Sequence, residues 1–198
     1  KAEVLRLIDE QEKLTPDLAK AVATASKLQE VEDLYRPYRP KRRTRASIAE
    51  EKGLRPLAEL IFKQETAQGD LDELFAPYVE PDKGLETTTD VKAGALDIIA
   101  QWISDDAKVR ALVRKMSEKE GSLVARCRLP LDEAGQPPMS KYEQYYDFSE
   151  AITRIPSHRV LAINRGEREE ILKVSVDVPV DRIIATMEQQ VIRAPYGL

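Results

Sequence analysis

Apolar positions recur at spacings of three and four along most of this chain, the period of helices that bury one face. Residues 3–12 carry the pattern as the end of a helix. Thr15-Pro16-Asp17 opens the next one. Thr supplies an N-cap oxygen, Pro suits the first helical position and an acid suits the first turn. Leu18, Ala21, Val22, Ala25, Leu28, Val31 and Tyr35 continue as a single stripe until Pro37 and Pro40 stop it. Ile48 and Ala49 then sit on a short helix that Gly53 can close in the left-handed conformation. A second short helix runs from Pro56 through Phe62, and a third covers 70–76, followed by a loop over 77–88. Val91, Ala95, Ile98, Ile99, Trp102 and Ile103 form one face of a long helix. Ser104-Asp105-Asp106 reads as a break with a new N-cap, and Val109, Leu112, Val113 and Met116 carry on to Gly121.

The period then changes to two. Leu123, Ala125, Cys127 and Leu129 alternate with Val124, Arg126 and Arg128, and Leu172, Val174, Val176 and Val178 alternate with Ile171, Lys173, Ser175 and Asp177. Each is a half-buried strand, and antiparallel pairing would satisfy both. Between them lie a Pro/Gly loop, the aromatic stretch KYEQYYDFSE and a helix near SHRVLAINRGERE with Ser157 as its N-cap. A last helix spans Asp181 to Val191. The expected fold is mainly α: an elongated multi-helix scaffold with a helix-turn-helix-like pair and a small two-stranded antiparallel β element. Two parts are expected, a helical region over 1–120 and a small mixed α/β segment over 121–198 that leads towards a further domain. The absence of an initiator Met at Lys1 and the polar, Pro-containing tail suggest a piece from inside a longer protein.

Charge changes this picture at one place. The net charge is −4, yet residues 36–45 (RPYRPKRRTR) hold six cations and no acid, which leaves about −10 on the rest. Arg36, Arg39, Lys41, Arg42, Arg43 and Arg45 are interleaved with Tyr35 and Tyr38. Guanidinium groups can grip phosphates and tyrosine can stack on an unpaired base. The same segment also reads as a strap, stiffened by its prolines and ion-paired to the acidic body. His158, close to a helix start, is read first as making a structural hydrogen bond; the alternative is a secondary, phosphate-contacting basic patch of Arg154, His158, Arg159, Arg165 and Arg168. Ala49 and Gly53 stand four apart, as in DNA-binding helix-turn-helix units, but Lys52 and Glu59 fall where that motif wants apolar residues, so base-specific reading is disfavoured.

Catalytic chemistry finds little to stand on. His158 is the sole histidine, with no second His or Cys beside it for a zinc site, and no nucleophile with an orienting acid stands near it. The acid pairs Glu50-Glu51, Asp105-Asp106 and Glu169-Glu170 are sequence neighbours, which diverge on a helix instead of converging on a metal. The glycines are isolated, so no phosphate loop forms. The expectation is a non-enzyme without metal, cofactor or small-molecule substrate. Cys127 is the single cysteine and is expected to be a buried small hydrophobe. A lone cysteine and the lack of an apolar run of about 20 residues favour a reducing, cytoplasmic setting without a membrane partner. The aromatic stretch, flanked by Glu143, Asp147 and Glu150, is expected to pack against the scaffold or neighbouring domains.

Three stretches taken together resemble one family. LQEVEDLYRPYRPKRRTRASIAEEKGLRPLAEL (Leu28–Leu60), ALDIIAQWISDDAKVRALVR (Ala95–Arg114) and KYEQYYDFSEAITRIPSHRVLAINRGEREEILKVSV (Lys141–Val176) occur in the order and at the separations of the N-terminal half of the Tex family of bacterial transcription accessory proteins. The resemblance implies a helical region followed, in the complete family pattern, by an RNase H-like domain of the YqgF type. Helix-hairpin-helix elements and a C-terminal RNA-binding OB-fold domain come next, and this chain shows none of those parts. It also implies a transcription role and relation to a eukaryotic elongation factor. Because the family pattern includes the tyrosines and prolines of 35–40, the basic segment is read mainly as a strap, a role compatible with contact to RNA or DNA. The function expected is a helical scaffold supporting nucleic-acid binding by the parent protein. The alternative is a module that docks on the transcription machinery without touching nucleic acid.

Overall fold

The computed structural model describes residues 1–40, 43–64, 71–130 and 134–193. It contains ten α-helices and one antiparallel sheet of three strands among these residues. Two compact units are formed, one by Lys1–Ala111 with Met187–Leu198 and the other by Leu112–Thr186.

The first unit begins with α1 (Ala2–Asp9) and α2 (Pro16–Thr24), the latter capped by Thr15, whose side chain accepts from the Leu18 N–H. The expected single helix from Thr15 to Tyr35 is in fact two, because α3 (Leu28–Tyr35) starts afresh. The Glu30 carboxylate reaches back to accept from the Ser26 and Lys27 N–H groups at 2.7 and 3.2 Å. This local cap competes with continuation of the helix and wins. Next come α4 (Arg45–Glu51) and α5 (Arg55–Lys63), joined through Gly53 at φ 91°. Gly53 N–H bonds to Glu50 O, and Leu54 N–H to Ala49 O, so the left-handed glycine closes α4 as expected.

After α6 (Leu71–Phe75), the expected loop over 77–88 contains two single 3-10 turns, Ala76–Tyr78 and Pro81–Lys83, and an isolated bridge between Glu80 and Leu85. Thr87 and Asp90 then form a reciprocal cap on α7 (Thr88–Asp105). The hydroxyl and N–H of Thr87 hold the Asp90 carboxyl below the usual carboxylate range. Asp106 caps α8 (Ala107–Glu120) by accepting from Lys108 and Val109 N–H groups, the expected break. Ala46, Ala49, Leu54, Leu57 and Ala58 pack against Val91, Ala95, Ile98 and Ile99 to make the core of this unit.

The second unit holds β1 (Ser122–Cys127), β2 (Asp147–Ala151), α9 (Ser157–Arg168) and β3 (Leu172–Asp177), with the sheet in the order β2-β1-β3. The expected pairing of β1 with β3 is present, with Ala125 opposite Val174, but the element has three strands, not two. The third is the end of the aromatic stretch, which pairs Phe148 with Ala125. Five residues with one half-buried aromatic give too short an alternation to stand out in sequence. Tyr142 and Tyr145 are buried with Ala125, Ile163 and Leu172 in the core of this unit. Cys127 is half-buried instead of buried, since it ends the strand. Ser157 is the first helical residue of α9, with Pro156 in the cap position. The last helix, α10, spans Val180–Val191.

α9 ends in a six-residue wrap, with Ile171 N–H bonded to Gly166 O and Glu170 N–H to Glu167 O. Glu170 adopts φ 59° there, a conformation that costs a side-chain-bearing residue about 1 kcal/mol. Glu170→Gly is therefore expected to raise stability by about 0.5–1 kcal/mol, measurable as a higher urea midpoint at unchanged slope. A lower midpoint would show that the exposed Arg128 pair of Glu170 matters more than the backbone.

Candidate nucleic-acid interface

The basic segment starts where α3 tightens into a 3-10 turn, Arg36–Tyr38, with Pro37 inside it. The Arg39 N–H bonds to Tyr35 O, and the Gln11 amide donates to Tyr38 O at 2.9 Å. Tyr35 and Tyr38 are half-buried. At its other end Thr44 caps α4, accepting from Ser47 N–H while its hydroxyl bonds to Gln101 Oε1 at 2.9 Å. Both ends of the segment are thus fixed to the helical body by hydrogen bonds.

Its arginines divide by partner. Arg36 pairs through Nε with Asp105 Oδ1 at 3.2 Å, and the Asp105 side chain is only 10% exposed. Arg45 pairs loosely with Asp97 at 3.5 Å, and Arg43 with Glu51 at 3.1 Å, both arginines largely exposed. Exposed pairs of this kind contribute at most about 1 kcal/mol and can exchange for another anion. Arg39 is exposed and has no ion-pair partner among the described residues. Lys41 and Arg42 lie outside the described residues. Arg36, Arg39, Thr44 and Arg45 face Asp97, Gln101, Ser104 and Asp105 of α7 across an open cavity of about 610 Å³. The α7 residues were not among the sequence candidates. Their spacing of four and then three or four along one helix is the signal that would have found them.

A second ion pair reinforces this part of the unit. Asp33 on α3 is 3% exposed and accepts from Arg110 Nε at 2.8 Å. Gln29 donates to it at a longer 3.4 Å.

The residues of the secondary patch separate differently. Arg159 pairs with Glu150 of β2 at 2.6 Å. Arg154, His158, Arg165 and Arg168 are exposed, and none has an ion-pair or side-chain hydrogen-bond partner among the described residues. Glu169 is taken by Lys141, with Nζ at 3.1 and 3.0 Å from its two oxygens. That contact holds the Glu169 carboxyl below its ordinary value and raises Lys141.

The helix pair α4–α5 presents Arg55 and Glu59 on its second helix, and these bond to each other at 3.0 Å. Arg55 also lies 6.0 Å from the Trp102 ring centre, and Phe62 meets Trp102 edge-on. Among the described residues no three His, Cys, Asp or Glu side chains gather as a metal site. No helix among them is long and apolar enough to cross a membrane.

A family model described as Tex central region-like matches residues 67–195. The chain belongs to the Tex family. The Bacillus subtilis protein YdcI is 43% identical over 196 residues, covering 98% of this chain and 26% of its own length. Protein tex of Bordetella pertussis is 35% identical over 190 residues, 96% of this chain and 23% of its own. A human protein named S1 RNA-binding domain-containing protein 1 is 28% identical over 178 residues, 88% of this chain and 17% of its own. This chain therefore spans about a quarter, or less, of the length of these curated relatives. The Tex central match takes in the whole sheet and α9, whereas the basic segment 36–45 lies ahead of it.

Proposed function

We propose that this chain is a non-catalytic helical framework within a cytoplasmic Tex-type transcription accessory protein. It supports nucleic-acid binding by the parent and adds a phosphate contact of its own through the basic segment. The observation that carries the reading is the division of labour among the arginines. Arg36 is held by a nearly buried aspartate, which suits a strap. Arg39 is unpaired among the described residues, and Arg43 and Arg45 are held only by exposed or long ion pairs, which suits a replaceable anion. The name of a Neisseria gonorrhoeae relative, transcriptional accessory protein Tex, associates the family with transcription, and the name of the human relative mentions RNA binding. One observation favours a protein contact instead: Val180 and Ile184, one turn apart on α10, are 55% and 47% exposed.

The test is fluorescence anisotropy of this chain with labelled single-stranded RNA and duplex DNA at low and physiological salt. Arg39→Ala combined with Lys41→Ala and Arg42→Ala is expected to weaken binding about tenfold or more at low salt. It should also reduce the slope of log affinity against log salt by about 2. Unchanged affinity and slope would leave the segment as a strap only.

A further inference from the structure

We infer that the outward face of α9 is a second contact for single-stranded nucleic acid, independent of the basic segment. His158, Leu161, Arg165 and Arg168 recur at three, four and three residues, so they share one face of the helix. The opposite face carries Ile163 and Gly166, both buried against the sheet unit. Arg154 lies in the turn just before the helix. His158 to Arg168 spans about 15 Å at the helical rise, a straight row along which a strand can lie.

Several features set this row apart from an ordinary solvated face. Its arginines make no direct ion pair among the described residues, whereas most other arginines among those residues are bonded to a carboxylate. The nearby acids are otherwise engaged or turned away. Glu150 holds Arg159, Glu169 is bonded to Lys141 and acts on Arg165 only through space, without a direct ion pair, and Glu167 falls on the far side of the helix by its phase. Leu161 stands in the middle of the row at 65% exposure.

The chemistry fits a single strand. Unpaired guanidinium groups recover most when they meet phosphate, bidentately and with release of counterions. A planar guanidinium and an exposed leucine also give an unpaired base a surface to lie on, which a duplex would keep stacked inside itself. An acidic protein partner fits less well. A stable protein interface needs an apolar centre within roughly 1,200 Å² or more of buried surface. This row offers one leucine.

This inference rests on the nucleic-acid reading above, and the experiment separates the two. A labelled single-stranded RNA of about 12 nucleotides is titrated with the chain. The same titration is made with Arg154→Gln/Arg165→Gln/Arg168→Gln, with Arg159→Gln, with Leu161→Ala, and with the basic-segment variant. Circular dichroism confirms that each is folded. The triple glutamine variant is expected to lose about tenfold in affinity and to flatten the salt slope by about 2. Arg159→Gln should bind as the parent does, and Leu161→Ala should weaken single-stranded but not duplex binding. Loss in the triple variant with none in the basic-segment variant supports the α9 contact and removes the phosphate role of the segment. Loss only in the basic-segment variant overturns the α9 contact and leaves the earlier reading intact. Equal affinity in parent and triple variant also overturns it. So does tighter binding of polyglutamate than of RNA, lost on the same substitutions, which would mark a site for acidic protein.

Discussion

Asp33→Ala is expected to lower the unfolding free energy of the first unit by about 3 kcal/mol, near the lower end of what breaking a buried ion pair costs. The carboxylate is 3% exposed and accepts from Arg110 at 2.8 Å, while Arg110 keeps 27% of its side-chain exposure. Removing the acid leaves a cation largely cut off from water. The remaining access to solvent keeps the loss below the full penalty for a fully enclosed charge. For a unit of this size the loss corresponds to a fall of about 10 °C in melting temperature. Trp102 is the only tryptophan and lies in this unit, so its fluorescence follows the transition directly. Asp33→Leu combined with Arg110→Met should recover much of the loss, because the desolvated charges are gone from both sides. A fall of under about 1 kcal/mol in Asp33→Ala would mean the pair behaves as a surface contact.

Gly166→Val is expected to destabilise the second unit by a similar amount, about 3 kcal/mol. A Cβ at this position would lie 2.6 Å from Leu172 Cδ1, 2.9 Å from its Cγ and 3.2 Å from Tyr142 Cδ1. Leu172 is 1% exposed and Tyr142 4%, so neither has room to retreat. Two effects oppose each other in the smaller change Gly166→Ala. Alanine raises helix propensity by about 1 kcal/mol, while overpacking costs about 1–3. The clash should prevail, with a net loss of about 1 kcal/mol. Valine adds a branched side chain and a poorer helix fit, which removes the compensation. Thermal melts followed by far-ultraviolet circular dichroism measure both. Leu172→Ala should cost less in the Gly166→Ala background than in the parent, the non-additivity expected of a shared contact. An alanine variant more stable than the parent would show that Leu172 and Tyr142 can shift at little cost.

The basic segment shows how far local reading reaches. Its composition marks it plainly, and the prolines mark its stiffness. Which arginine is held and which is available depends on α7, more than 50 residues away, through Asp97 and Asp105. The same holds on α9, where Arg159 and Arg165 are indistinguishable as residue types. Only the position of Glu150 on β2 separates them. The break before α3 was legible in principle. Glu30 stands four residues after Ser26, but the apolar stripe ran through the site and concealed it.

The sequence by itself determined the helical class, the glycine stop at Gly53, the cap at Asp106 and the pairing of β1 with β3. Each follows from a period or a single residue's backbone preference, and such signals act within a few residues. It also carried the Tex resemblance, spread over three stretches. The tertiary structure alone decided that the sheet has a third strand, that Cys127 is half-exposed, and that Asp33 and Asp105 are buried partners of arginine. Those outcomes depend on which distant surfaces meet, because burial and ion pairing are properties of two segments at once.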